Sequence, residues 1–137
     1  MDIVFEVPGR PRGKGRPRFT KAGHAFTPKT TKDYEESIRS AFKESEMGHI
    51  AILDKPAQVF VSAWFKPPTR LRKADRQRAI DFSTPHTRKP DGDNILKAVC
   101  DALNGLAWDD DSQVYFANVA KYHSEREYLL VKIAYDC

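Results

Sequence analysis

The spacing of apolar residues changes from place to place along this chain, and those changes limit the folds open to it. From Asp93 to Leu106, residues Leu96, Val99, Cys100, Leu103 and Leu106 recur at helical spacing. Val114–His123 and Tyr128–Tyr135 then alternate as strands do. Upstream, Tyr34, Ile38, Ala41 and Phe42 mark another helix, with Thr30 and Asp33 placed to open it as a capping box and an end expected near Gly48. Ile3, Phe5 and Val7 make a short first strand, halted at Pro8-Gly9. Val59–Phe65 makes a longer one with Val59, Val61, Ala63 and Phe65 on one side, and Phe60 and Trp64 on the other, so both faces should be covered. Ala74–Phe82 reads as a short helix, Asp93 or Asn94 as the N-cap of the later one, and Ser124 to Glu127 as a hairpin loop joining the last two strands. The order β-α-β-α-β-β predicts an α+β fold: a single domain over residues 1–137, with a mixed sheet of about four strands and two main helices packed on it. A chain of 137 residues can bury such a core unaided.

Several classes of protein are disfavoured. No apolar run approaches the ~20 residues needed to cross a bilayer. The opening MDIVFEVPGRPRGKG places acids before a short apolar stretch, the wrong order for a secretory signal, so a cytoplasmic location is expected. Cys100 and Cys137 make neither a disulfide framework nor a zinc site. His24, His49, His86 and His123 are scattered and are expected on the surface or in loops. No glycine-rich loop ends in Lys-Ser or Lys-Thr, so no nucleotide cofactor is expected.

Charge is distributed more tellingly than its total of +4 suggests. Residues 1–30 carry seven Lys/Arg against two acids, residues 66–89 eight against two, and residues 91–113 six Asp against the single Lys97. Two basic segments around a compact acidic one suit a polyanion-binding surface with a small negative pocket. Arg10, Arg12, Lys14, Arg16 and Arg18 alternate along a segment stiffened by Pro11 and Pro17, so all five side chains can face one phosphate track. Phe19 and Phe26 beside them are expected in the core, with stacking on an unpaired base as the other reading. Arg70, Arg72, Lys73, Arg76 and Arg78, then Arg88 and Lys89, form the second set and lead directly into Asp91.

Asp91 and Asp93 flank Gly92, and Asp109, Asp110 and Asp111 follow Trp108. Asp93 has a routine reason to sit at a helix start, whereas Asp91 is either solvated or a ligand. Lys97 lies one turn beyond Asp93 on the same face, and an Asp93–Lys97 surface pair would serve no function. Mg²⁺ takes hard oxygen ligands and keeps several waters, so two or three carboxylates suit it. At a phosphodiester it neutralises a non-bridging oxygen, orients water and stabilises the leaving alkoxide. Lys97 could hold the scissile phosphate or stabilise charge developing on it.

The stretch KPDGDNILKAVCDALNGLAWDDDSQV closely resembles the signature of the RusA family of Holliday junction resolvases, and GKGRPRFTKAGHAFTPKTTKDYE resembles that family's opening. The resemblance implies a RusA-like fold and an endodeoxyribonuclease that resolves four-way junctions by paired symmetric nicks in recombination and repair. It makes Asp91, Asp93 and Asp111 catalytic, magnesium-coordinating carboxylates and Lys97 the essential lysine. Mn²⁺ would be a plausible substitute metal. Counting from Trp108 and from Gln113 both select Asp111, leaving Asp110 as a candidate second ligand and Asp109 as a bystander. A homodimer is also implied, which suits two symmetric cuts. Trp64, Phe65, Leu106 and Tyr115 are large apolar candidates for its interface. The alternatives are a non-catalytic module binding branched DNA, or a nuclease acting mainly on flaps or forks.

Overall fold

The computed structural model describes residues 2–15, 17–45 and 54–136. Arg16, Gly48, His49 and Cys137 fall outside them. In chain order the elements are β1 (Asp2–Pro8), β2 (Arg18–Phe19), β3 (Ala25–Phe26), α1 (Lys29–Glu44), β4 (Ala57–Phe65), α2 (Lys73–Asp81), α3 (Gly92–Leu103), β5 (Val114–His123) and β6 (Tyr128–Tyr135). A short 3₁₀ turn at Asp111–Gln113 precedes β5. No described helix is long and apolar enough to cross a membrane.

Four strands form one mixed sheet in the order β1-β6-β4-β5, and β2 and β3 form a separate two-stranded ribbon. The expected α+β architecture is therefore present, but the hairpin is not. β4 lies between β5 and β6, parallel to the first and antiparallel to the second. The connection from Ser124 to Glu127 wraps the end of β4: Ser124 N donates to Phe65 O at 2.8 Å, and the Glu127 carboxylate accepts from Lys66 N at 3.2 Å. Four residues easily span the two strand spacings, roughly 10 Å, that this requires. β1 pairs with β6 from Asp2↔Ala134 to Pro8↔Tyr128. It therefore runs parallel to β4 with β6 inserted between them. β4 and β5 are joined by the helical crossover that parallel strands need.

Alternation decides which face is buried. Ile3, Phe5 and Val7, then Val59, Val61, Ala63 and Phe65, then Leu129, Val131 and Ile133 all lie under the helices. Tyr34, Ile38 and Phe42 of α1 and Ile95, Val99 and Leu103 of α3 close over them. Phe5 and Phe42 meet edge to face at 5.7 Å. α1 packs on β1, α3 on β5, and the helices pack on each other. The opposite face is not covered as expected. Trp64 stacks on Tyr128 at 5.8 Å and Phe60 meets Phe116 at 5.6 Å, yet Phe116 stays exposed. Phe65 is wholly buried, which removes it as an interface candidate.

Helix ends also depart from expectation. α1 starts at Lys29 with Pro28 at the N-cap and no side-chain cap, and ends at Glu44 with Ser45 as C-cap rather than near Gly48. The anticipated Thr30/Asp33 box does not form; instead Thr31 Oγ1 accepts from Gly15 N at 3.2 Å. α3 begins one residue before Asp93, with Asp91 at its N-cap.

Candidate active site and nucleic-acid interface

Asp91 occupies the N-cap of α3, yet its carboxylate makes no capping hydrogen bond, and Asp93 sits exposed in the first turn. A carboxylate there is favoured by the helix dipole and keeps its oxygens for another partner. Three contacts fix the chain at this point. Lys121 of β5 donates from Nζ to the carbonyls of Arg88 at 2.8 Å and Pro90 at 2.9 Å. Lys14 N donates to Asn94 O at 2.9 Å. Gly92 lies so close to Val119 that an added Cβ would sit 3.2 Å from its Cγ1.

The second acidic segment is pinned by Trp108, which is fully buried and donates from Nε1 to Asn104 Oδ1 at 2.8 Å. Asp110 is committed to the turn itself. Its Oδ2 accepts from Ser112 N at 3.1 Å, and the Gln113 side chain reaches back to Asp109 N at 2.8 Å. Those hydrogen bonds from Ser112 hold the Asp110 carboxyl below the usual carboxylate range. Asp111 approaches α3. Burial first, then the charges of Asp111 and Asp101, together push the Cys100 thiol up to about 11 against the opposing effect of Lys97. Asp93, Lys97 and Cys100 share one helical face, with Asp93 and Cys100 roughly 10 Å apart along the axis. Asp93 and Lys97 thus mark an exposed ridge of α3, and the charge of Asp111 reaches its far end at Cys100. Among the described residues, no three His, Cys, Asp or Glu side chains form a group able to hold a metal ion.

Beside this ridge runs a cleft of about 690 Å³ lined by Arg10, Arg12, Lys14, Thr31, Lys89 and Asp91, among others. It brings the first basic segment, the start of α1 and the approach to α3 together, and Asp91 is the member of the acidic set that reaches it. Asp93, Lys97 and Asp111 do not line it.

The five alternating cations do not form a single phosphate-facing row. Lys14 points inward, where its ammonium meets Glu35 and, at 3.3 Å, Asp101, to which Lys97 also comes within 3.8 Å. Burial works to lower the Lys14 pKa, but the hydrogen bonds and charges of Glu35 and Asp101 prevail and raise it. Arg10 pairs with Glu127 at 2.7 Å and lies 5.1 Å over the Phe65 ring. Arg12 and Arg18 are exposed. In the second set Arg70, Arg72, Lys73, Arg78, Arg88 and Lys89 are exposed and Arg76 is half-buried.

Nearly the whole chain, residues 8–134, matches the family described as Endodeoxyribonuclease RusA. The chain belongs to the RusA family. It is also 32% identical to the uncharacterized protein YqaN of Bacillus subtilis (strain 168), over 97% of this chain and 96% of that one. Membership makes this RusA protein a member of a nuclease family that acts on DNA.

The residues that support the candidate site are less legible in the sequence. Lys121 had a visible signal, since it alternates in step with Ala117 and Val119 on the side of β5 that continues Val59, Val61 and Ala63. Glu35 had none, because it reads as part of a solvated helix face. His86 is buried rather than superficial, stacked 3.9 Å from Phe65.

Proposed function

We propose that this protein is a magnesium-dependent endonuclease that resolves four-way DNA junctions as a homodimer, cutting two strands symmetrically. The observation that carries this reading is the basic cleft with Asp91 on its wall, in a chain of the RusA family. The exposed Arg12 and Lys89 on the cleft, with Arg18 and Arg88 on its approaches, hold phosphates, and such contacts are strongly salt-dependent. Paired cuts call for two equivalent sites related by two-fold symmetry, which a homodimer supplies.

By the family resemblance Asp91, Asp93 and Asp111 are the residues that would hold Mg²⁺, one or two at a time with substrate phosphate and water, since no three such side chains form one group among the described residues. Their oxygens suit a hard cation, which needs only one or two carboxylates alongside substrate phosphate and water. The bound ion would supply charge neutralisation at the phosphodiester and a water made more acidic. Asp110 is a weaker candidate because its oxygen already caps the turn. Lys97, exposed one turn beyond Asp93, would meet a phosphate and stabilise the charge that grows on it.

The test is a mobile four-way junction incubated with Mg²⁺, then with EDTA. Paired nicks should appear and vanish with the chelator. Asp91→Asn and Asp111→Asn should abolish cutting while junction binding survives, and Lys97→Ala should cut slowly at undiminished affinity. Wild-type nicking rates in either Asp variant would refute the site. Retarded but intact DNA would instead indicate a binding module, and preferred cutting of flaps or forks would move the substrate.

A further inference from the structure

The ribbon of β2 and β3 exposes two phenylalanines that the fold does not use. Phe19 is 70% exposed and Phe26 45%, and among the described residues neither ring meets another aromatic. A single exposed apolar side chain needs no explanation, but two on a ribbon only two pairs long do. The ribbon is nevertheless well built. Thr20 N donates to His24 O and Gly23 N to Thr20 O, both at 2.9 Å, and Gly23 supplies the left-handed φ of +86° that closes the turn.

Its register places the two rings apart. Arg18 pairs with Phe26 and Phe19 with Ala25, so directly opposed residues share a face and the phenylalanines occupy opposite faces. Its base is continuous with the cleft, since Gly15 before it and Thr30 and Thr31 after it line that cavity. Arg18 and Lys21 on the ribbon are exposed cations. A ring on each side, cations around them and a phosphate-binding cleft at the root match nucleic acid whose bases are unstacked, because every base offers a π face to an aromatic and a phosphate to a cation.

We infer that the β2–β3 ribbon is a wedge that stacks Phe19 and Phe26 on unpaired bases at the branch point of the DNA held in the cleft. The inference rests on the junction-nuclease reading for its substrate, but the stacking can be tested separately. The full chain is titrated in EDTA onto a four-way junction, a fork with single-stranded arms and a plain duplex. Phe19→Ala/Phe26→Ala should weaken junction and fork binding by roughly tenfold or more per ring, with duplex affinity within about twofold of wild type. Phe19→Trp should retain affinity, and its indole emission should be quenched by fork and junction but not by duplex. Equal losses on all three DNAs, or no loss on any, would overturn the wedge. A double variant that still cuts junctions at full affinity would sink the wedge and leave the resolvase reading standing. A wild-type chain that ignores junctions, yet shows the fork response and its loss, would do the reverse.

Discussion

His86 provides a quantitative test of how the loop leading to Asp91 is held. Its ring is 7% exposed and stacks on Phe65 at 3.9 Å, and the T-shaped contact with His123 lies at 5.4 Å. Burial lowers its pKa to about 4, helped by the charges of Lys121, His123 and Arg10 and opposed by Glu127. A histidine with a folded value below its ordinary 6.5 is neutral in the fold and protonated when unfolded at mildly acidic pH. The unfolded chain then binds the extra proton, so stability rises with pH and is lost as pH falls from about 6.5 towards 4. Linkage between those two values removes about 2 kcal/mol between pH 7.5 and pH 5. That is a sizeable share of the stability of an ordinary domain. Urea denaturation of wild type and His86→Gln across this range measures it. His123, also pushed down by burial, is kept in both chains, and its interaction with His86 is part of the difference measured. The wild-type curve should fall about 2 kcal/mol further than the variant's; parallel curves would refute a buried neutral His86.

The segment that carries the first cations gives two more expectations. Lys14→Met leaves Glu35 and Asp101 facing each other without their shared cation, and should cost about 2–3 kcal/mol in chemical denaturation because solvent still reaches the edge of the group. Adding Glu35→Gln should recover part of that loss. Gly13→Ala would place a Cβ 2.9 Å from Asn94 Cβ and 3.2 Å from Pro90 Cβ. It should push the loop off α3 and slow cleavage on the order of a hundredfold, with circular dichroism unchanged.

Much of the fold was legible because period decides burial. The strands at Val59–Phe65, Val114–His123 and Tyr128–Tyr135 match the observed ones closely, and Lys73–Asp81 forms the expected short helix. Pairing was not legible. Nothing local distinguishes a four-residue hairpin loop from one that crosses the end of another strand, since the deciding bonds run from Ser124 to Phe65 and from Glu127 to Lys66. Helix starts misled for a similar reason. Thr30 and Asp33 have capping chemistry, but Thr31 is taken by Gly15 from far along the chain, and α1 opens after Pro28 without a side-chain cap.

The site divides along the same line between local and distant causes. Asp91, Asp93 and Asp111 stood out by type and spacing, but the residues that hold them in position act across the fold. Lys121 shows how this works: it is a half-buried lysine on the helix-facing side of β5, and its ammonium needs acceptors there. Its two bonds to the Arg88 and Pro90 carbonyls meet that need and fix the backbone just before Asp91. Lys14 does the same between α1 and α3, which explains why a cation in a basic run faces inward rather than towards phosphate. Phe19 and Phe26 reverse the pattern: their apolar character predicted burial, and the fold leaves them in solvent. Lys14 lines the cleft and Lys121 fixes the backbone beside it, so the polar groups drawn inward are the ones that set the position of Asp91.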